Sequence, residues 1–404
     1  MAVDVGDVVE LEVTKVVHGG DGLARHEGFV VFVHGALPRE RVAARIHTVK
    51  KSHAFADLLE VHTASTQRVL HIWQEADISR PPDARAGGAD FGHIDLGYQR
   101  AVKSEILVDS LVRHGRVDHS ACGDTRVEPL PGDLDGRHWR SRVTLHVGPD
   151  GRAGPYAERS RTVIPVDTLP LAAIALEQLD AHHTDWSGHR QVRLVAPSGS
   201  EPRLIIDEQS PQPIVEKVLG DDFVLSDQSF WQVHQSAPET LSVAVAEALS
   251  SVDVDPARHH LDLYGGVGLF GKTLLRHFGD DASVTVVESD PLAAEYTEQN
   301  LAAHPHASAV TADVKRFLEG ADRDQTYGAI ILDPPRSGAK SEVVSLVATL
   351  APQAVVYVAC DPVALGRDID LFRSAGYELR SVRGFDLFPH THHIEAVAML
   401  IPAC

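Results

Sequence analysis

Along residues 6–61, apolar and polar positions alternate in short runs, at 8–13, 28–33, 40–46 and 56–61, with glycines clustered between them as in Gly19-Gly20-Asp21-Gly22. A period of two broken by frequent turns predicts a small antiparallel β-barrel. A proline- and glycine-rich break follows, from Pro81-Pro82 through Gly87-Gly88. Val102, Ile106, Leu107, Leu111 and Val112 then recur at helical spacing before Gly115, which predicts an amphipathic helix near 100–115 with a glycine stop. Its apolar stripe is free to pack on the C-terminal part of the chain. From 120 to 225 the pattern is weaker: 143–147, 192–195, 204–206 and 223–225 read as strands and the stretch near 169–179 as a helix, an α+β arrangement. The last third is clearer. Ser236-Ala237-Pro238-Glu239 has capping-box form ahead of Leu241, Val245 and Leu249 on one helical face. Strand-like runs at 261–264, 284–288, 329–332 and 355–359 then alternate with helical ones. Such alternation predicts a Rossmann-like, parallel, doubly wound α/β sheet with its ligand across the carboxyl ends of the strands. The expected division is a barrel over 1–65, an α+β middle domain over 66–225 and an α/β domain over 226–404.

A chain of 404 residues is too long for one ordinary core, which agrees with this division. Hydrophobic residues make up 43% and charged ones 23%, and no apolar run reaches membrane-spanning length. Cys122, Cys360 and Cys404 are widely spaced and offer neither a disulfide framework nor a paired metal motif. The expectation is a cytoplasmic, monomeric protein without a membrane anchor. Net charge is -20, which argues against a protein that coats nucleic acid. The imbalance is uneven: residues 226–404 hold 12 Lys and Arg against 24 Asp and Glu, whereas residues 1–68 hold 8 against 9. Between 137 and 161 the sign reverses, with Arg137, Arg140, Arg142, Arg152, Arg159 and Arg161 facing only Asp150 and Glu158. That stretch is either a solvated basic edge or a contact for an anionic partner.

Two places carry candidate chemistry. The first strand of the last third runs into Gly265-Gly266-Val267-Gly268 and then a helix, a turn that lets a ligand approach the backbone and leaves helix amides free. The pattern Gly265-x-x-Gly268 is not that of a dinucleotide site, so a mononucleoside-like cofactor fits better. Glu288 closes the next strand, where a carboxylate can accept from ribose hydroxyls, and Asp313 follows the next apolar segment. The second place is Cys360, at the foot of an apolar run and stopped at once by Asp361-Pro362. Asp333-Pro334-Pro335-Arg336 lies upstream and Phe388-Pro389-His390-Thr391-His392-His393-Ile394-Glu395 downstream. The histidines there lack further ligands at metal-site spacing, so no metal is expected.

These motifs resemble, through almost the whole chain, the class I S-adenosylmethionine-dependent RNA (uracil-5-)-methyltransferases, and residues 6–61 are similar to the TRAM barrel many members carry. Phe230-Trp231-Gln232-Val233-His234 resembles the family's Phe-x-Gln-x-Asn, which implies a cofactor contact from Gln232. The match of Asp262 to Gly268 with the first cofactor motif implies contacts from Tyr264, Gly265, Gly268, Glu288, Asp313 and Asp333. Residues 357–362 look like the nucleophile motif, which makes Cys360 the nucleophile, and residues 388–395 look like the motif whose final carboxylate, Glu395, is the base. The implied cofactor is S-adenosyl-L-methionine and the implied partner a structured RNA, tRNA or rRNA. Where many members place the Cys-Gly-Gly-Cys of an iron-sulfur cluster, this chain has Ala86-Gly87-Gly88-Ala89, so no cluster is expected. Leu269 replaces an Asn of some members, and Asp361 and His234 each replace a family Asn.

The chemistry needs these groups. Carbon 5 of uracil is a poor nucleophile, and addition of a thiolate at carbon 6 turns the ring into an enolate that carbon 5 can use. Arg336 and His390 are candidates for favouring the thiolate. Two other readings stay open: an amino-group methyltransferase working through the Asp333 loop without an adduct, and an RNA-binding protein whose site has decayed.

Overall fold

The computed structural model describes residues 3–158 and 160–403. Five strands open the chain: β1 Val8–Val16, β2 Gly22–His26, β3 Phe29–His34, β4 Arg41–Val49 and β5 His53–Thr63. They close into a barrel in the order β1-β2-β3-β5-β4. Along β1, Val9, Leu11 and Val13 fill the interior while Glu10 and Glu12 face out, so the two-residue period of the sequence builds the barrel core. The barrel is mixed and not wholly antiparallel as expected, because β3 runs parallel to β5. Gly22, assigned from sequence to a turn, begins β2: a Cβ there would lie 2.6 Å from the Ala36 carbonyl oxygen.

Helix α1, Leu96–Arg113, is capped by Asp95, whose carboxylate accepts the Tyr98 amide at 3.0 Å. Its stripe of Val102, Ile106, Leu107 and Leu111 shares a buried cluster with the C-terminal sheet, as does Cys122 on α2, His119–Cys122. The short β6, Val127–Glu128, adds an edge to that sheet. β7 Arg142–Val147, β8 Ala153–Gly154, α3 Ile174–Glu177, β9 Gln191–Val195 and β10 Arg203–Ile206 follow, and the four strands form a separate antiparallel sheet ordered β10-β9-β7-β8. The helix expected near 169–179 is reduced to the single turn of α3. Ala172 instead bridges Arg140, and Leu169, Leu171 and Leu176 bury themselves around Trp73 and Trp139. β11 Pro213–Val218 and β12 Asp221–Ser226 form a hairpin that sequence grouped with the middle segment. Its Ile214, Phe223 and Leu225 lie in one buried cluster with α4, Ala237–Ser250, and with the C-terminal sheet.

The remaining elements are β13 His259–Leu263, α5 Leu269–Phe278, β14 Val284–Glu288, α6 Pro291–Leu301, β15 Ala307–Thr311, α7 Val314–Glu319, β16 Tyr327–Leu332, α8 Lys340–Thr349, β17 Ala354–Ala359, α9 Pro362–Ser374, β18 Tyr377–Phe385 and β19 Glu395–Pro402. Their sheet runs β15-β14-β13-β16-β17-β19-β18-β6. β15 to β17 are parallel with crossover helices, as the alternating pattern predicts. β19 pairs antiparallel with both β17 and β18, so the sheet is mixed and not uniformly parallel. No helix separates β18 from β19, and a direct return fixes that direction. The capping box at Ser236 does not form: its hydroxyl donates to the Pro131 carbonyl at 3.1 Å. Among the described residues no helix is long and apolar enough to cross a membrane, and Cys404 lies outside the described residues.

Candidate active site

The carboxyl ends of β13, β14, β16 and β17 meet on one edge of the sheet. Beyond β13 the chain turns sharply, with Tyr264 at φ 64°, Gly266 at 56° and Gly268 at 92°. Gly265 is required for space as well, since a Cβ there would lie 2.2 Å from Val286. The turn lines a small cavity, with Gln232, Tyr264, Gly265 and Asp333 among its polar lining and Phe230, Trp231 and Leu269 among its apolar lining. Four of the residues singled out from sequence as cofactor contacts therefore line one cavity. Gly268 starts α5 and serves the backbone turn. Glu288 holds the rim: one carboxylate oxygen accepts the Gly266 amide at 3.0 Å and the other the Asp290 amide at 2.7 Å. Asp313 is exposed and caps α7 through the Arg316 amide at 3.1 Å. Leu269, at the position of a family Asn, leaves that wall apolar.

Acids accumulate behind this turn. Asp262 is fully buried; one oxygen accepts the Gly271 amide at 2.7 Å, and the other has no partner among the described residues. Burial above all, with Asp333 and Glu288 nearby, pushes its carboxyl up to about 8. Burial raises Asp333 to about 7. An orphaned buried carboxylate oxygen, a glycine cradle and a ring of acids fit a cationic, nucleoside-bearing cofactor.

The β17–β19 register builds the second half of the site. Ala359 pairs with Ala396, so the next positions along the antiparallel ladder, Cys360 and Glu395, stand opposite each other. Leu332 pairs with Tyr357 on the other side, which places Asp333 beside them. Glu395 is buried, and burial followed by repulsion from Asp333 raises its carboxyl well above the usual range. Cys360 is half-buried, and burial, then Glu395 and Asp333, push its thiol up to about 12. Arg336 opposes both shifts. Its guanidinium is exposed and lies 3.5 Å from Nε2 of His393, a ring that burial lowers to about 3 and so keeps neutral.

His390, the other candidate for favouring the thiolate, is committed elsewhere. Its Nδ1 accepts from the Gln99 amide at 3.0 Å and its Nε2 donates to the Asp135 carbonyl at 2.9 Å, the pairing a neutral ring makes. It ties α1 to the loop before Glu395. Lys103 does the same: fully buried, its ammonium donates to Asp386 at 2.6 Å and to the Phe388 carbonyl at 3.0 Å. The barrel also reaches the site. His18, between β1 and β2, lies 3.2 Å from Asp361, the residue after Cys360 and the cap of α9. Gly20 packs where any Cβ would meet His392 at 2.9 Å, and Asp90 accepts from both the amide and Nδ1 of His392. Sequence reasoning missed these partners because they lie hundreds of positions from the motifs they support.

Three other places singled out from sequence lie outside this cavity. His234 does not face the cavity: it stacks on Trp139 with centroids 5.5 Å apart, and burial lowers it to about 4. The arginine stretch is not one basic face, since Arg142 turns inward to the Asp227 and Ser229 carbonyls and to Glu216, while Arg159 lies outside the described residues. Ala86 and Ala89 are buried beside Trp73 in the middle core.

Comparison with known proteins agrees with this geometry. Residues 2–59 match the model of the TRAM domain, and residues 257–402 that of the tRNA (Uracil-5-)-methyltransferase family. The chain is 37% identical to an uncharacterized RNA methyltransferase of Streptomyces avermitilis, over 98% of this chain and 99% of that protein. It is 29% identical to the 23S rRNA (uracil(1939)-C(5))-methyltransferase RlmD of Shewanella sediminis, over 97% of this chain and 95% of that protein. In fold it is similar to the Pyrococcus abyssi tRNA (uracil-54, C5)-methyltransferase in complex with S-adenosyl-L-homocysteine, at TM-score 0.72 and 20% identity, over 97% of this chain and 100% of that one. The TRAM barrel, the Rossmann-like sheet and the full-length relatives together place this chain in the family of S-adenosylmethionine-dependent RNA (uracil-5-)-methyltransferases.

Proposed function

We propose that the enzyme methylates carbon 5 of a uridine in a loop of tRNA or rRNA through a transient bond between Cys360 and the base. The observation that carries this is the ladder register that sets Cys360 across from Glu395, beside Asp333 and Arg336. Gln232, Tyr264, Gly265, Gly268, Glu288, Asp313 and Asp333 hold S-adenosylmethionine, which supplies an electrophilic methyl group when bound. The Cys360 thiolate adds to carbon 6, and the electron pair of the C5–C6 double bond moves toward the carbon-4 oxygen, making carbon 5 nucleophilic. Once carbon 5 carries the methyl group, the Glu395 carboxylate takes its proton. The C5–C6 double bond re-forms, the C6–S bond breaks and the thiolate leaves. A carboxyl raised by burial is a stronger base than a solvated one and suits this proton transfer. Arg336 is the cation placed to favour the thiolate. The target must leave its stack at a cost of a few kcal/mol, least in a loop, hence the loop substrate. Such an enzyme works as a cytoplasmic monomer in which barrel and middle segment hold the RNA.

The test is RNA transcribed with 5-fluorouridine, in which no carbon-5 proton can be removed. A stable enzyme–RNA bond mapped by mass spectrometry to Cys360 is the expected result. Full methyl transfer by Cys360→Ala refutes the reading and returns the amino-group alternative. Sequencing 5-methyluridine in RNA from cells lacking the protein names the substrate.

A further inference from the structure

We infer that the outer face of the barrel, where it meets α1, is a stacking platform for an unpaired nucleotide next to the target uridine; this rests on the RNA reading above. Inward positions on β3 and β5 are Val31, Val33, Ala54 and Ala56, all buried. Phe32 and Phe55 point the other way. They pair directly in the β3–β5 register, and their rings lie 5.4 Å apart. His53 stands edge-on to both, at 5.5 Å and 5.1 Å, and His47 stacks beside Phe55 at 6.3 Å. Neither phenylalanine belongs to, or packs against, any of the four buried apolar clusters, so these rings do not stabilise a core.

The rings instead line a groove that is also lined by Ile106 and Asp109 of α1. Val363 and His18 also line the groove. Val363 is three residues past Cys360, and His18 touches Asp361, so the groove runs beside the segment that follows Cys360. Lys50 and Lys51 are exposed in the turn just before His53, outside the groove, and Lys15 lines it from β1, where it pairs with Asp109 at 3.8 Å. Partly exposed ring faces flanked by cations are how sequence-tolerant single-strand sites are built, because every base has a π face and every linkage a charge. A protein partner would ask for a broader apolar surface than two rings in a groove edged by Asp21, Glu105 and Asp109.

The experiment uses the full chain and a 5′-fluorescein dodecamer of uridylate carrying one 4-thiouridine. Phe55→Leu keeps the apolar volume and removes the ring face; Phe32→Ala/Phe55→Ala removes both. Expected are a photo-crosslink to the β3 or β5 peptide, binding about tenfold weaker for each ring removed, and unchanged thermal unfolding in Phe55→Leu. On unmodified cellular RNA, apparent KM rises by a similar factor while kcat holds. Equal oligonucleotide affinity and KM in wild type and Phe55→Leu, or crosslinks confined to other surfaces, overturn the platform. If wild type binds through these rings but forms no 5-methyluridine, the proposed chemistry fails and the platform stands, so the two failures are distinguishable.

Discussion

Alkylation of Cys360 by iodoacetamide tests the electrostatics of the site without RNA. The thiol is pushed up to about 12 by burial and by Glu395 and Asp333. At pH 8 such a group is thiolate in about one molecule in 10,000, against about a quarter for a free cysteine of pKa about 8.5. That deficit is roughly 2,000-fold. A more basic thiolate is also more nucleophilic, by about 0.4–0.5 log units per pKa unit, which recovers roughly 25- to 60-fold. The enzyme's thiol is therefore expected to react about 50-fold more slowly than glutathione. The assay is timed alkylation from pH 7 to 10, quenched and read by mass spectrometry on the peptide holding Cys360, which separates it from Cys122 and Cys404. The rate rises tenfold per pH unit with no plateau. Two substitutions move it in opposite directions: Arg336→Met slows it by removing the opposing cation, and Glu395→Gln speeds it at high pH by removing a carboxylate while stopping methyl-transfer turnover. A plateau below pH 9, a rate equal to that of glutathione, or the same direction for both variants refutes this electrostatic account.

Other outcomes follow from the same structure. Asp262 has a folded pKa of about 8, above its unfolded value, so the ligand-free protein loses stability as pH rises from about 4 through 8; thermal unfolding of Asp262→Asn falls less between pH 6 and 9 than that of wild type. Lys103→Met leaves Asp386 buried with Arg100 as its remaining cation and removes one of the donors to the Phe388 carbonyl, which keeps Thr391, costing about 3 kcal/mol in urea unfolding; an unchanged urea midpoint counts against the network. His18→Ala lowers kcat/KM severalfold in wild type and not in an Asp361→Asn background, because the 3.2 Å contact with Asp361 is what it removes. A double-mutant cycle without coupling excludes that role.

Elements whose stability is local were legible in the sequence, and those held by distant partners were not. The strands β16 and β17 are continuous apolar runs because helices cover both faces, and such runs announce themselves. β11 escaped notice because Pro213 opens it and charged Glu216 and Lys217 interrupt it; its apolar residues Ile214 and Val218 find cover in a cluster built mostly from residues later in the chain, on α4 and the C-terminal sheet. The stretch at 169–179 carried helical apolar spacing, yet pairing of Ala172 with Arg140 extends its first half, a tertiary override of local preference. In the site, the glycine turn and the Cys360 strand end were visible as motifs. That Asp361 is met by a barrel histidine, and His390 by a glutamine of α1 291 positions away, could not be read, since nothing in either local sequence encodes so distant a partner.

Charge explains why one acidic domain can serve an anionic substrate. Half-buried and buried acids at 262, 288, 333 and 395 gather around the strand ends, and Arg336 is the cation that tempers Cys360 and Glu395. Burial holds the carboxyls at 262, 333 and 395 above the usual range, so the site suits a cationic cofactor and a neutral base and offers a phosphate little beyond Arg336. The RNA backbone must then be held where charge is balanced. The barrel is such a place, with 8 basic against 9 acidic residues over positions 1–68, and its β1–β2 loop reaches the residue after Cys360. On the proposed function, separating backbone binding from base entry leaves the pocket buried enough to raise Glu395, and the His18 contact joins the barrel to the residue after Cys360.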